Sequence, residues 1–156
     1  MKERTLHLTR AALIAALYVV LTFLSQIFGL ASGVIQFRLS EALTVMPLFY
    51  KEAVPGLWIG CILANILTGC AFWDVVFGSV ATLLGALGTY YIGRKKPAMG
   101  TVFPILTNVL IVPAVLQYVY GVKDSYWFLM ITVGVGEIVC CGIMGWALYK
   151  VYKKIY

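Results

Sequence analysis

The chain has 156 residues, of which 62% are hydrophobic and 12% are charged, and its formal net charge is +6 at pH 7. This composition lies far from the average of soluble domains and is typical of an integral membrane protein, which excludes a chain of several soluble domains. Because a spanning helix needs roughly 20 residues, the length predicts one all-α membrane domain over residues 1–156, with about six transmembrane helices and short loops.

Six apolar segments follow one another along the chain, and each is predicted to be a membrane helix. They are Thr9–Leu30, Phe37–Tyr50, Ala53–Thr68, Val75–Ile92, Gly100–Tyr120 and Tyr126–Tyr149. The first is longer than the apolar part of a signal peptide and is followed by further apolar segments, so it is predicted to be retained. The second is short for a full span and carries Arg38 and Glu41, so it is predicted to be shielded from lipid.

Small residues occur at helical spacing in two of these segments, and such residues let membrane helices approach closely. The fourth segment contains Gly78, Gly85 and Gly88 and is predicted to pack within the protein. The first begins with two overlapping A-x-x-x-A patterns, formed by Ala11, Ala12, Ala15 and Ala16. This alanine face has two interpretations, packing within the protein or docking of another membrane subunit.

The distribution of basic residues predicts the orientation of the chain in the membrane. Ten of the twelve lysines and arginines lie near the two ends, at Lys51 or in the loop that follows the fourth segment. Only Arg38 and Lys123 would lie on the opposite side. Since basic residues are enriched in cytoplasmic segments, both termini are predicted to be cytoplasmic.

With this topology, polar residues fall mainly in the outer halves of the predicted helices. The candidate binding residues are Arg38, Glu41, Asn65, Asp74, Asn108, Gln117 and Glu137. They predict an outward-facing polar cup that holds a small solute. Glu137 is the foremost candidate because it is the lone carboxylate of the apolar run Ile131–Leu148, and an ionisable group in a membrane helix normally faces a cavity, a ligand or a proton path.

Each of the other candidates also has a structural interpretation. Arg38 and Glu41 are three residues apart and could form an ion pair on one helix face. Asp74 lies at the start of the fourth helix, where an acid is favoured by capping and by the helix dipole. Asn65 and Asn108 could bridge helices.

Aromatic residues near the predicted outer boundary have two interpretations as well. Trp73 and Trp127 are typical of an interfacial aromatic belt, and either could instead stack on a flat ligand. A carboxylate accepts two parallel N–H donors of the kind that a guanine-like edge presents, so these residue types suit a flat heterocycle.

Several kinds of chemistry find no support in the sequence. The four cysteines form no C-x-x-C pair and the only histidine, His7, lies in the polar N-terminal segment, so neither a metal site nor a cofactor is predicted. No Walker A loop is present, so the chain is not expected to hydrolyse ATP by itself. The predicted spans also contain no histidine, metal set or nucleophile–base pair, and an enzyme is therefore disfavoured.

The chain resembles the QueT family in two places. One is the stretch Ile35–Pro47, which includes the sequence F-R-L-S-E-A-L-T, and the other is the alanine face of the first helix. The resemblance extends over nearly the whole chain. It implies a substrate-binding S component of an energy-coupling factor (ECF) transporter, with a six-helix bundle. It also implies a separate ECF module, made of one transmembrane coupling protein and two ATPases, that docks on the alanine face.

The substrate implied by this resemblance is a 7-deazaguanine precursor of queuosine: pre-queuosine-zero, its aminomethyl counterpart or queuine. From depth and charge, we expect Glu137 to pair with the guanine-like edge and Glu41 or Asp74 to meet a cationic aminomethyl group. Asn65, Asn108 or Gln117 would complete the polar contacts. Two alternatives stay open, an S component for another vitamin or nucleobase and a stand-alone proton-coupled carrier that uses Glu137.

Overall fold

The computed structural model describes residues 2–30 and 35–155, and this part of the chain is helical, without strands. Its α-helices are α1 (Lys2–Ile27), α2 (Ala53–Leu67), α3 (Phe72–Gly88), α4 (Val102–Tyr118), α5 (Tyr126–Glu137) and α6 (Gly145–Ile155). A 3₁₀ helix, Leu39–Leu48, lies between α1 and α2. π-helical segments extend α3 (Thr89–Gly93) and join α5 to α6 (Ile138–Met144). Every predicted apolar segment is thus helical, which confirms the all-α prediction for these residues.

Among the described residues, four helical segments are long and apolar enough to cross a membrane: Glu3–Ile27, Phe72–Gly93, Pro97–Tyr118 and Tyr126–Ile155. The remaining two, Leu39–Leu48 and Ala53–Leu67, are shorter. At about 2.0 Å per residue, the 3₁₀ helix rises only about 20 Å, which is less than the hydrocarbon core of a bilayer. The number of complete spans is therefore four by length, with two short helices beside them.

The 3₁₀ helix lies inside the bundle, as the prediction of shielding from lipid requires. Residues Ser40 to Pro47 are all buried. On the α1 side, Thr22 Oγ1 donates a hydrogen bond to Ser40 Oγ at 2.9 Å, and the Leu39 N–H donates to Ser25 Oγ at 2.9 Å. These side chains satisfy polar groups that lipid could not satisfy, and they fix the short helix against α1.

Close contacts between small residues set the spacing of the long helices. A Cβ atom on Gly56 would lie 2.7 Å from the Ala11 carbonyl oxygen, and one on Gly60 would lie 3.0 Å from Ala15 Cα. The pair Ala11/Ala15 of α1 therefore packs against the pair Gly56/Gly60 of α2.

The glycines of α3 act in the same way, as the sequence predicts. A Cβ atom on Gly85 would lie 2.8 Å from Pro104 Cα, and one on Gly88 would lie 2.5 Å from Phe103 Cγ. These contacts bring α3 and α4 close together beside the buried 3₁₀ helix.

Candidate functional site

Two buried carboxylates meet at the centre of the bundle. Glu41 comes from the 3₁₀ helix and Glu137 is the last residue of α5, and ligand atoms of the two side chains lie within 4.8 Å of each other. Asn108 of α4 lies between them: its Nδ2 donates to Glu137 Oε1 at 2.9 Å and approaches Glu41 Oε2 at 3.5 Å. The structure thus brings together three of the predicted binding residues.

The backbone of α5 explains how Glu137 reaches this position. The preceding residue is Gly136, and a side chain there would collide with the backbone carbonyl of Gln36, so glycine is needed for this close approach. The helix then changes to π geometry at Ile138. Single π-helical turns are frequent at functional sites. Here the turn carries Cys141, whose Sγ donates to Glu137 Oε2 at 3.0 Å.

Glu41 is held from the opposite side. The hydroxyl of Tyr18, a fully buried residue of α1, donates to Glu41 Oε1. The backbone carbonyl of Glu41 accepts from Thr44 Oγ1 at 2.6 Å, and Cys141 Sγ lies 3.4 Å from the same oxygen. Both carboxylates are therefore oriented by hydrogen-bond donors, as buried polar groups must be.

Arg38 does not form the expected ion pair with Glu41. It occupies the N-cap position of the 3₁₀ helix with an extended backbone (φ −103°, ψ 100°), so the geometry that places residues three apart on one helix face does not apply. Among the residues that the structure describes, its guanidinium makes no hydrogen bond and no ion pair within 4.0 Å. Asp74 and Glu41 attract the guanidinium electrostatically without touching it, so its N–H groups are open to a ligand in the adjacent cavity.

The space around Arg38 is divided into an inner pocket and an outer cavity, and Arg38, Gln36 and Val112 line both. The inner pocket also contains Glu41, Asn108 and Glu137, and its volume of about 20 Å³ is enough for about one water molecule. The outer cavity has a volume of about 340 Å³, which lies within the range of small-molecule sites. The carboxylate pair therefore lies behind a cavity of ligand size.

Asp74 and Asn65 line the outer cavity. Asp74 lies in the first turn of α3 but does not cap it, because the N-cap residue is Ala71 and no side-chain cap is formed. Instead, Asp74 Oδ2 accepts from the Tyr120 hydroxyl at 2.8 Å. Desolvation raises the pKa of Tyr120 to about 12, so this hydroxyl stays protonated and remains a donor.

The other three predicted binding residues lie elsewhere. Trp73 and Trp127 are 55% and 73% exposed, and neither they nor Gln117 line the inner pocket or the outer cavity. The exposure of the two tryptophans agrees with their interpretation as an interfacial belt. Ligand contact by these three residues remains a prediction without geometric support.

The structure adds residues that sequence reasoning missed. Tyr18 and Cys141 orient the carboxylates, Tyr120 orients Asp74, and Gln36 and Thr82 line the inner pocket. Cys141 follows Glu137 by four residues and is thus on the same helix face, a signal present in the sequence. Tyr18 had no comparable signal, because its partner lies on a different helix.

The alanine face divides into two pairs. Ala11 and Ala15 face α2, whereas Ala12 and Ala16 are exposed. The two interpretations of the A-x-x-x-A patterns thus apply to different alanines: one pair packs internally and the other is free for a partner.

The central cluster also contains atoms that could coordinate a cation. Ligand atoms of Glu41, Glu137 and Cys141 lie within 4.8 Å of one another. All three side chains already have hydrogen-bond partners within the protein.

Comparison with known proteins gives two matches. A family model described as QueT transporter matches residues 8–154. A protein named queuosine precursor transporter QueT, from Lactococcus lactis subsp. cremoris (strain MG1363), is 35% identical over 96 residues. That alignment covers 61% of this chain and 56% of the relative, so the chain matches little more than half of the relative's length. No solved structure matches the chain.

Proposed function

The chain belongs to the QueT transporter family, and from this premise we propose that it captures a 7-deazaguanine precursor of queuosine and delivers it across a membrane. The observation that carries the proposal is the buried Glu137–Asn108–Glu41 cluster behind a cavity of about 340 Å³. The curated relative from Lactococcus lactis is named for queuosine precursor transport, which supports this class of substrate.

In the proposed site, Glu137 is the main contact for the guanine-like edge. A carboxylate matches two parallel N–H donors, and a charge-assisted pair of this kind is among the stronger hydrogen-bonded contacts. Asn108 orients Glu137 before the ligand arrives, so the Glu137 side chain itself needs little reorganisation on binding. Arg38, which has no ion-pair partner in the described part of the chain, lies between the two spaces and would stack on the flat base.

The inner pocket has room for about one water molecule, so the base cannot enter it without a change in the lining side chains. We propose that the base occupies the outer cavity and displaces Arg38 or Gln36 as its edge reaches Glu137. Such rotamer changes on binding are common in otherwise preformed sites.

We further propose that the chain is an S component, with both termini cytoplasmic in a bacterial plasma membrane and an ECF module as the energy source. The exposed pair Ala12/Ala16 supports this proposal, since small residues four apart allow another membrane helix to approach. In this arrangement a coupling protein docks on that pair and two ATPases hydrolyse ATP. The chain itself performs no catalysis.

One observation favours a second candidate function, a proton-coupled carrier. Two buried carboxylates within 4.8 Å, Glu41 and Glu137, form the kind of intramembrane acid pair that proton-coupled carriers use. Uptake in cells that lack every ATPase module, lost when the proton gradient is collapsed, would favour this candidate. Uptake that requires the module would favour the S component.

Binding by the purified chain alone tests the proposed function. The ligands are guanine, pre-queuosine-zero, its aminomethyl counterpart and queuine, each titrated into protein in detergent by calorimetry. The proposal predicts saturable binding of at least one queuosine precursor, tighter than that of guanine. Failure of all three precursors to bind, or tighter binding of an unrelated vitamin, would contradict it.

A further inference from the structure

Outside the central cluster, two buried polar side chains converge in the outer cavity. Asn65 of α2 is 1% exposed and Asp74 of α3 is 5% exposed. Gly78, one turn after Asp74, leaves space beside them: a Cβ atom there would lie 3.1 Å from Asn65 Nδ2 and 3.4 Å from Asp74 Oδ1. The missing side chain at Gly78, which lines the inner pocket, thus leaves both groups uncovered on that side.

Asn65 has less hydrogen bonding than a buried amide requires. Its Nδ2 contacts only Cys61 Sγ, at 3.7 Å, and sulfur is a weak acceptor. Its Oδ1 accepts no hydrogen bond from any described residue. This oxygen is not among the fully enclosed side-chain atoms that lack a partner in the described part of the chain, so it is open to the outer cavity, where a ligand group or a water molecule can donate to it.

Asp74 is likewise only partly satisfied. Oδ2 accepts from Tyr120, but Oδ1 accepts no hydrogen bond, and no lysine or arginine in the described ranges comes within 4.0 Å of the carboxylate. A buried carboxylate is costly unless a cation or several donors compensate it. Arg38 lines the same cavity and attracts Asp74 electrostatically, but it makes no ion pair with Asp74 within 4.0 Å. A ligand group with positive charge and N–H donors matches the open lone pairs of Oδ1.

We propose that Asp74 and Asn65 form a second subsite that binds a protonated amine on the substituent of the base, and that the chain therefore selects amine-bearing precursors over the nitrile. This inference rests on the proposed function. It decides between the two acids that the sequence left open for the cationic group: Asp74 takes the amine because it lines the outer cavity, whereas Glu41 lines the inner pocket.

The test compares two ligands of similar size, the aminomethyl base and pre-queuosine-zero, which carries a nitrile at the same position. We expect the wild-type chain to bind the amine roughly 10-fold or more tightly than the nitrile, as a charge-assisted hydrogen bond allows. Asp74→Asn is expected to reduce this ratio to about threefold or less while leaving the affinity for the nitrile nearly unchanged. Asp124→Asn, which removes the same charge from an exposed loop residue, is the matched control and should keep the ratio.

Two results overturn the inference. In the first, the wild-type chain binds both bases with equal affinity. In the second, Asp74→Asn lowers the affinity for both bases by the same factor, as a purely structural role of Asp74 would. Should Asp74→Asn fail to fold, Asn65→Asp adds a carboxylate to the same subsite and must raise the preference for the amine; an unchanged ratio contradicts the inference. A chain that binds no base at all contradicts the proposed function itself, and the subsite falls with it.

Discussion

Glu41 and Glu137 lie on elements distant in sequence, yet ligand atoms of their carboxylates come within 4.8 Å of each other inside the bundle. Each carboxylate has its own donor, Tyr18 for Glu41 and Cys141 for Glu137, and Asn108 lies between the two. A pair of acids this close in a buried site persists only when surrounding groups stabilise it. The bundle therefore assembles the site before any ligand arrives.

Asn108 is the shared donor, and its removal is predicted to affect both stability and binding. Asn108→Ala leaves Glu137 Oε1 without its donor, which should cost roughly 1–3 kcal/mol of folding free energy. Thermal unfolding in detergent should show a lower midpoint, and titration should show weaker binding of the base. Gln117→Ala on the same helix is the control, since Gln117 lines neither cavity, and equal effects of the two substitutions would contradict the assigned role.

The contact between α1 and α2 is predicted to support Glu41 indirectly. A methyl group at position 60 would lie 2.9 Å from Tyr18 Cβ, and Tyr18 donates to Glu41. Gly60→Ala should therefore destabilise the fold by roughly 1–3 kcal/mol, as overpacking does, and also weaken binding.

Gly142→Ala is the matched comparison for Gly60→Ala, because a methyl group there would meet nothing closer than 3.8 Å. It should leave the unfolding midpoint and the binding constant unchanged. If both alanine variants behave alike, the close approach at Gly60 has no energetic consequence and the argument from packing is wrong.

The sequence predicts the helices of this fold well but only part of the site. Hydrophobic runs locate all six helical segments, and the buried position of Leu39–Leu48 follows from its length and polar content. The 3₁₀ geometry of this helix cannot be predicted from its own sequence, because tertiary contacts with Thr22 and Ser25 favour it. Glu137 stands out as a lone acid in an apolar helix, whereas Tyr18 is one aromatic residue among many and its role depends on a distant helix.

The depth of a residue in the membrane predicts its place in the site less well than the direction of its side chain does. The sequence places Trp73 near the outer boundary, where it fits either an interfacial belt or stacking on a ligand. It is 55% exposed, whereas its neighbour Asp74 lines the outer cavity. Successive residues of a helix point about 100° apart, so equal depth does not mean a shared face. Only the packing of α3 decides which of the two neighbours faces inward.

Because Ala12 and Ala16 are exposed, we predict that a bulky side chain there prevents docking of the ECF module without affecting substrate binding. Ala12→Trp should block docking of a partner helix and abolish module-dependent uptake, while binding by the isolated chain stays unchanged. Ala11→Trp should instead destabilise the protein itself, since Ala11 packs against Gly56. Normal uptake by a well-expressed Ala12→Trp variant would show that this face is not the docking surface.

Tyr120 predicts a stability change at alkaline pH. Its pKa is raised to about 12 from an ordinary value of 10.0, so the folded state holds the phenolic proton more tightly than the unfolded state. The resulting contribution to stability is fully present below pH 10 and is lost as the pH rises towards about 12. Over that range the unfolding midpoint should fall more for the wild-type chain than for Tyr120→Phe, and parallel curves would contradict the assignment.

The most direct test of the central claim is the affinity of Glu137→Gln for a queuosine precursor, measured by calorimetry beside the wild-type chain. The amide keeps the shape of the side chain but replaces one acceptor oxygen with a donor, so the guanine-like edge loses a charge-assisted contact. We predict a loss of affinity of roughly 10-fold to 100-fold with a retained fold. Glu3→Gln, at an exposed residue of α1, should have no effect. Wild-type affinity in Glu137→Gln would remove Glu137 from the site and contradict this account.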